Sequence, residues 1–397
     1  MDKTRKKRAR SIRIFFIFCI LISVALTSAR AGDKALLNQA KQIFGPLPKT
    51  MRSANNSITA DKVALGKMLF YETRISVDQT VSCVRCHPIG LYAADGLKKS
   101  IGNNCKINPR NAPTVFNAAG QISAHWIGNR TDVEDQAKQA MVGPPSFGMP
   151  SYEAVEKRLK EIRGYAPLFA RAFPGEKDPV NVDNLAKAIG AFERTLVTPS
   201  RFDAFVKGNP TALAAAEKKG LKTFIETGCT NCHSGAYVGG KMYQKFGVFE
   251  PYWQYTGSKD IDEGRYAVTN NESDKYVFKV PVLRNVEMTS PYFHDGSVDG
   301  LRDVVFIMGK IQVGKSPTDE QVGEIILFLK SLTGRLPDDA LRVPVLPPDG
   351  EHAGFAAVKD QPKVLSQGRY GVQNGPALPI FLSDKNSSDA YSCARER

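Results

Sequence analysis

Four stretches of the chain place apolar residues at helical spacing, and they fall into two similar pairs. Residues 59–71 and 182–196 form the first pair, with apolar side chains on one face of each predicted helix. Residues 211–226 and 318–332 repeat this arrangement later in the chain. The pattern therefore predicts two similar helical halves.

Signals for β-structure are sparse by comparison. Only residues 276–280 alternate between apolar and polar side chains, and they do so weakly. At the start of the last predicted helix, Thr318 and Gln321 have the spacing of a capping box. We therefore expect an all-α fold with little β-structure.

Two Cys-x-x-Cys-His pentads, at 83–87 and 229–233, indicate the chemistry. In each, two thiols can form thioethers to one porphyrin while the adjacent His binds the iron. A structural zinc needs four ligands and a pentad offers three; a redox dithiol does not need the His. The pentads therefore predict two haem c groups, attached and ligated by Cys83, Cys86, Cys229, Cys232, His87 and His233.

The N-terminus has the pattern of an export signal. A basic segment precedes the apolar residues 14–26, and Ala29-Arg30-Ala31 forms a small-x-small cleavage site. Thirteen apolar residues are few for a membrane span, so we expect a cleaved signal peptide over 1–31, with an uncleaved anchor as the alternative. Export with haem attachment predicts a periplasmic protein.

Charge and cysteine usage follow from the same assignment. The formal charge is +14, but residues 1–31 hold eight Lys and Arg and one acid, which leaves about +7. That surplus is spread out and does not indicate nucleic-acid binding. Of the seven cysteines, only Cys105 and Cys393 lie outside both the signal and the pentads. A disulfide between them is one alternative in an oxidising compartment.

The chain is long enough for two domains after the signal. We predict a first haem domain over 32–199, a second over 200–348 and a loosely ordered tail over 349–397. The tail is rich in Gly, Pro, Ser, Asn and charged residues and has no sustained periodicity.

From about residue 35 to residue 348 the chain resembles the bacterial dihaem cytochrome c peroxidases, to which the methylamine-utilisation dihaem oxygenases are related. The resemblance implies reduction of hydrogen peroxide to water, with electrons from a small cytochrome c or a cupredoxin. Homodimers are common in that family. The matching stretches are 109–118, 128–138, 188–199, 227–235, 264–270, 280–298 and 307–314.

The resemblance also implies further site residues. Three side chains after the second pentad, Met288, His294 and Met308, are candidate ligands for its iron. The family's Met ligand matches Met308, where the dihaem oxygenases carry Tyr, and His294 is expected to have a structural role. Trp126 matches a Trp between the two haems. A calcium ion is expected between them as well, bound by Asn111, Thr289 and Pro291.

On the first haem, the peroxide-reacting one in this family, the chain departs from the pattern. The family's removable His, its Gln and its Glu fall on Asn103, Ala124 and Ser146. O–O cleavage needs a group that moves a proton, and His125 is our candidate for it; an iron ligand or a packed His is the alternative. Other candidates nearby are the acids Asp132, Glu134 and Asp135 and the sulfur side chains Cys105, Met141 and Met149.

These replacements leave competing functions open. A catalytically impaired electron carrier or redox sensor would keep both irons permanently six-coordinate. A dihaem oxidase acting on a partner protein would use Trp126 as its relay, but Met308 in place of Tyr argues against that activity.

Overall fold

The computed structural model describes residues 32–348. The predicted signal peptide, 1–31, and the predicted tail, 349–397, lie outside the described residues. Within 32–348, no helix is long and apolar enough to cross a membrane.

Helices dominate the described chain, which confirms the predicted all-α class. In chain order they are α1 (32–44), α2 (Ala60–Tyr71), α3 (Cys83–Cys86), α4 (Val133–Val142), α5 (Tyr152–Glu161), α6 (Ala166–Ala172), α7 (Val182–Glu193), α8 (Arg201–Val206), α9 (Ala215–Glu226), α10 (Trp253–Thr256), α11 (Tyr266–Thr269), α12 (Leu301–Met308), α13 (Asp319–Ser331) and α14 (Asp338–Leu341). Within the described range, one two-stranded antiparallel sheet pairs β1 (Tyr243–Lys245) with β2 (Val277–Lys279).

The four predicted helices are present, with local differences at their ends. The predicted capping box of α13 is confirmed, because Thr318 and Gln321 each accept a hydrogen bond from the other's backbone N–H. Helix α9 begins at Ala215 rather than 211, because Asn209 caps the backbone N–H of Thr211 in a preceding turn. Helix α7 ends at Glu193 and not at 196.

Each half is built on one close pair of helices, α2 with α7 and α9 with α13. A Cβ on Gly66 of α2 would lie 1.8 Å from the carbonyl oxygen of Ala188, and a Cβ on Gly220 of α9 would lie 2.0 Å from that of Glu324. Only glycine permits these backbone contacts. The matching positions of the two glycines support the predicted repeat.

Each half has its own apolar core, but each end of the described chain packs in the core of the other half. Leu37, Ala40 and Phe44 of α1 pack in the core of the second half. Near the other end, Ala340 is part of the core of the first half, and Leu336 packs against it. The boundaries 32–199 and 200–348 stay a prediction, and each half is completed by residues from the far end of the chain.

Candidate haem and electron-transfer site

The first pentad lies on one short turn of helix. Helix α3 spans Cys83–Cys86, and the N–H of His87 donates to the carbonyl oxygen of Cys83 at 2.9 Å. Both thiols are unbonded, and burial raises the pKa of Cys83 and raises that of Cys86 to about 11. The turn presents two neutral thiols beside one imidazole.

The first haem ligand predicted by this motif, His87, is half-buried. Burial lowers the pKa of His87, against the hydrogen-bonding effect of the Ala93 and Pro113 carbonyl groups. Nδ1 lies 3.2 Å from the Ala93 carbonyl oxygen. If that nitrogen carries the hydrogen, Nε2 is left with a free lone pair, which is the form that binds a metal.

The second pentad repeats this geometry. The N–H of His233 donates to the carbonyl oxygen of Cys229 at 2.9 Å, and Cys229 and Cys232 are unbonded. Burial lowers the pKa of His233 to about 4, opposed by the carbonyl groups of Val238 and Pro281. Nδ1 is buried next to those carbonyls without a well-formed hydrogen bond. The donor set at both pentads, two free thiols and a neutral imidazole, fits a haem c.

The three candidate ligands for the second iron differ in their surroundings. Met308 ends α12, is half-buried, and precedes a π-helical turn, Gly309–Val313. Met288 is 47% exposed. His294 is buried and stacks on Phe278, with ring centroids 4.4 Å apart. This packing is consistent with the structural role expected for His294, and Met308 stays our predicted ligand.

Trp126 is held by residues of both halves. Its indole Nε1 donates to the carbonyl oxygen of Asn111 at 2.9 Å, and its own carbonyl oxygen accepts from the N–H of Lys279 at 2.7 Å. The carbonyl groups of Pro113 and Pro281 face His87 and His233, so the two prolines are equivalent in the two halves. Asn111 stands two residues before Pro113 and Lys279 two residues before Pro281. The two contacts of Trp126 therefore come from equivalent positions of the two halves, and Trp126 lies where the two halves meet.

The residues predicted to bind calcium lie close to that junction. The N–H of Asn111 donates to the carbonyl oxygen of His294 at 2.8 Å, which brings Asn111 next to the segment that contains Thr289 and Pro291. Among residues 32–348, no group of three or more His, Cys, Asp or Glu is arranged to hold a metal. A site made of amide and carbonyl oxygens does not need one, and the calcium site stays a prediction.

Two of the three positions predicted to replace the family's distal residues, Asn103 and Ala124, have no side chain free to move a proton. The Asn103 amide is buried, and its Nδ2 donates to the carbonyl oxygens of Pro144 and Ser146 at 2.6 and 2.8 Å. Both amide hydrogens are thus used within the protein. Ala124 has no polar side-chain atom and forms a backbone bridge with Arg130.

His125 is the candidate base, and its backbone has a φ of 65°. Burial lowers the pKa of His125 to about 4, and Arg130 adds to the effect. Its Nδ1 lies 3.0 Å from Oδ1 of Asn129. The ring is therefore neutral near pH 7, and with the hydrogen on Nδ1 its Nε2 can accept a proton.

The other candidates near the first haem have partners of their own. Two of the acids have partners within the protein: Glu134 pairs with the buried Arg194 at 2.7 Å, and the Asp132 side chain caps α4. Met141 and Met149 are packed in the first core. The predicted disulfide partner of Cys105, Cys393, lies outside the described residues.

Sequence reasoning missed one residue of this junction, Lys279. It is 6% exposed, and its Nζ donates to Oε1 of Gln121. The only signal was a lysine in the otherwise apolar end of the 276–280 segment. Burial lowers the pKa of Lys279 to about 7.

Comparison with known proteins gives one consistent result. Residues 60–211 match the family model described as di-haem cytochrome c peroxidase. The chain is 41% identical to "Cytochrome c551 peroxidase" of Pseudomonas aeruginosa over 84% of this chain and 95% of the relative. It is 32% identical to "Methylamine utilization protein MauG" of Methylorubrum extorquens, over 71% and 80%.

The fold is likewise similar to solved structures. A crystal structure of a MauG-like protein associated with microbial copper homeostasis superposes with a TM-score of 0.66 at 25% identity, over 75% of this chain and 97% of that one. The diheme peroxidase BthA of Burkholderia thailandensis has the same fold, with a TM-score of 0.58 at 19% identity, over 77% of this chain and 99% of that one.

Proposed function

Because the chain belongs to the di-haem cytochrome c peroxidase family, we propose that it reduces hydrogen peroxide to water with electrons from a small cytochrome c or a cupredoxin. The protein is an oxidoreductase of the cytochrome c peroxidase type, and the family implies two haem c groups. Each turnover consumes one peroxide, two electrons and two protons and yields two waters.

We assign the haems to the two halves by their ligands. Residues 32–199 would hold the peroxide-reacting haem through Cys83, Cys86 and His87. Residues 200–348 would hold the electron-transfer haem through Cys229, Cys232 and His233, with Met308 opposite. Bound haem supplies one-electron redox chemistry, and a Met thioether opposite a His raises its potential, which suits acceptance of an electron from a donor.

The observation that carries the proposal is the position of Trp126. Electrons accepted in the second half must reach the first, and Trp126 is hydrogen-bonded to both, through its indole to Asn111 and through its backbone carbonyl oxygen to Lys279. Its attachment through Asn111 and Lys279 fixes it without a flexible linker, which keeps the geometry of the relay constant during turnover.

His125 is our proposed proton-transfer group. It is adjacent to Trp126 in the chain, and the effect of His87 on its pKa supports a position near the first pentad. A neutral imidazole can take a proton from the near oxygen of peroxide and return it to the departing one. Asn103 cannot do this, because an amide does not exchange protons near neutral pH and its hydrogens are already used.

Three further assignments complete the proposal. Export by the segment 1–31 would place the protein in the periplasm. A calcium ion bound by Asn111, Thr289 and Pro291 would lie at the junction, where the contact between Asn111 and His294 supports it. A homodimer is a further expectation from the family.

Electron paramagnetic resonance of the fully oxidised, haem-loaded protein, before and after peroxide, tests this function. We expect a high-spin ferric signal that peroxide consumes, because the bound amide of Asn103 leaves the sixth position of the first iron open. His125→Phe should slow its loss by about 10²-fold or more, the usual contribution of a positioned acid–base group.

The electron carrier or redox sensor is the second candidate, and the replaced residues Asn103, Ala124 and Ser146 favour it. Two low-spin ferric signals in the oxidised protein, and the one low-spin ferric signal that remains after one-electron reduction, all left unchanged by peroxide, would establish that function instead. In the peroxidase, activity should start without prior reduction. A lag that only pre-reduction removes would contradict the open first haem.

A further inference from the structure

Two cationic side chains at the junction of the halves, the buried Lys279 and the half-buried Arg130, form no salt bridge with an acidic side chain among residues 32–348. Lys279 is 6% exposed and donates to one neutral acceptor, Oε1 of Gln121. The Nη1 of Arg130 donates to the carbonyl oxygen of Asn129. The Nε of Arg130 is buried and has no hydrogen-bond partner. These two residues form what we call the junction cation pair.

Both residues of the junction cation pair contact one loop, 124–126. The backbone of Lys279 binds the carbonyl oxygen of Trp126, and Arg130 bridges to Ala124 on the other side of the same loop. Both cations act electrostatically on His125, which lies between these attachment points. Both residues are therefore attached through their backbones to the loop that carries His125.

The protein itself supplies little compensation for these charges. Burial lowers the pKa of Lys279, with no acidic group opposing it. Asp135 interacts with Arg130 by charge, but its oxygens accept hydrogen bonds from Gln139 and from the N–H of Thr131. A buried cation without an anion is costly, and an anion bound beside it offsets that cost.

We propose that Lys279 and Arg130 bind a carboxylate at the junction, and that this carboxylate is a propionate of one of the two haems. Each haem brings two propionates, and a carboxylate accepts the charge-assisted hydrogen bonds that an ammonium and a guanidinium offer. The pair is thus a positioning and potential-setting site. The inference rests on the haems and not on peroxide turnover.

The midpoint potentials of both haems in the loaded protein, measured without peroxide, test this. In Lys279→Met the propionate loses its cation, which favours the oxidised haem. We expect the midpoint potential of one haem to fall by about 59 mV or more, a tenfold change in its reduction equilibrium. Lys259→Gln, which removes an exposed lysine, should leave both potentials unchanged.

Two further variants keep the test decisive if Lys279→Met does not load haem. Arg130→Met should lower the midpoint potential of one haem relative to the wild type, and Lys279→Arg should leave both potentials unchanged. Equal potentials in Arg130→Met and in the wild type would then overturn the proposal, as would equal potentials in Lys279→Met and Lys259→Gln.

An anion bound from solution is the alternative source of negative charge beside Lys279 and Arg130. Titration of the wild type with phosphate and with acetate separates the two sources. Potentials that do not depend on the added anion support the propionate. Potentials that follow the anion concentration, with Lys279→Met abolishing the dependence, would overturn it in favour of an exchangeable anion site.

Discussion

Asn117 and Asn285, which belong to different halves of the chain, donate hydrogen bonds to the same hydroxyl oxygen. Their Nδ2 atoms lie 2.8 and 3.0 Å from Oγ1 of Thr198. All three side chains are fully buried, and both asparagines have a positive φ, 60° and 63°. Asn117 stands four residues after Pro113 and Asn285 four after Pro281. The two halves therefore meet through equivalent asparagines around one threonine.

This contact predicts a loss of stability in Thr198→Val. Valine has a similar shape but leaves both amide donors without their acceptor, and an unpaired buried group costs about 1–3 kcal/mol. We expect the free energy of unfolding to fall by about 2–4 kcal/mol in urea denaturation. Thr198→Ser keeps the oxygen and should lose much less. Equal stability of the two variants would refute the role of the hydroxyl.

The ion pair between Glu134 and Arg194 predicts a loss of folding stability in Glu134→Ala. Their side chains are 14% and 5% exposed and 2.7 Å apart. Breaking a buried pair leaves an uncompensated charge, so Glu134→Ala should cost about 3 kcal/mol. The pair of Lys138 and Asp183 is also close, but Asp183 is 63% exposed, and Asp183→Ala should cost under about 1 kcal/mol. Similar losses in the two variants would contradict this difference.

The proposed ligand role of Met308 predicts a change in the midpoint potential of one haem. If its thioether is the sixth ligand of the second iron, Met308→Leu removes the group that raises the potential. Redox titration should then show one haem at a midpoint potential at least about 59 mV lower, a tenfold change in equilibrium. Met288→Leu, at an exposed methionine, is the control. A shift in Met288→Leu alone would assign the ligand to Met288.

His125 predicts a pH dependence of stability. Its pKa in the folded protein is about 4, below the ordinary value of about 6.5, so the native state binds fewer protons than the unfolded state. Stability from this group is fully present above about pH 6.5 and is lost as the pH falls towards 4, by up to about 1.4 kcal/mol per unit.

The variant His125→Phe removes this titration. Between pH 7 and pH 4.5, the urea midpoint of the wild type should therefore fall relative to that of His125→Phe as the pH falls. Parallel curves over that range would show that His125 is accessible enough to titrate normally in the folded protein.

The sequence alone was sufficient for features that depend on neighbouring residues. The capping box of Thr318 and Gln321, the two Cys-x-x-Cys-His pentads and the repeated pairs of helices all depend on the spacing of a few residues. Hydrogen bonds within one turn and the period of the apolar face determine them, so they can be read along the chain.

Only the tertiary structure decided which distant residues meet. Apart from its place at the apolar end of the 276–280 segment, nothing in the neighbouring sequence of Lys279 indicates that this lysine is buried. It is buried beside Gln121 and Trp126 because β2 pairs with β1 at the junction. The packing of α1 in the second core arises in the same way. Burial and desolvation depend on every segment that surrounds a residue, and those segments come from parts of the chain that local patterns do not connect.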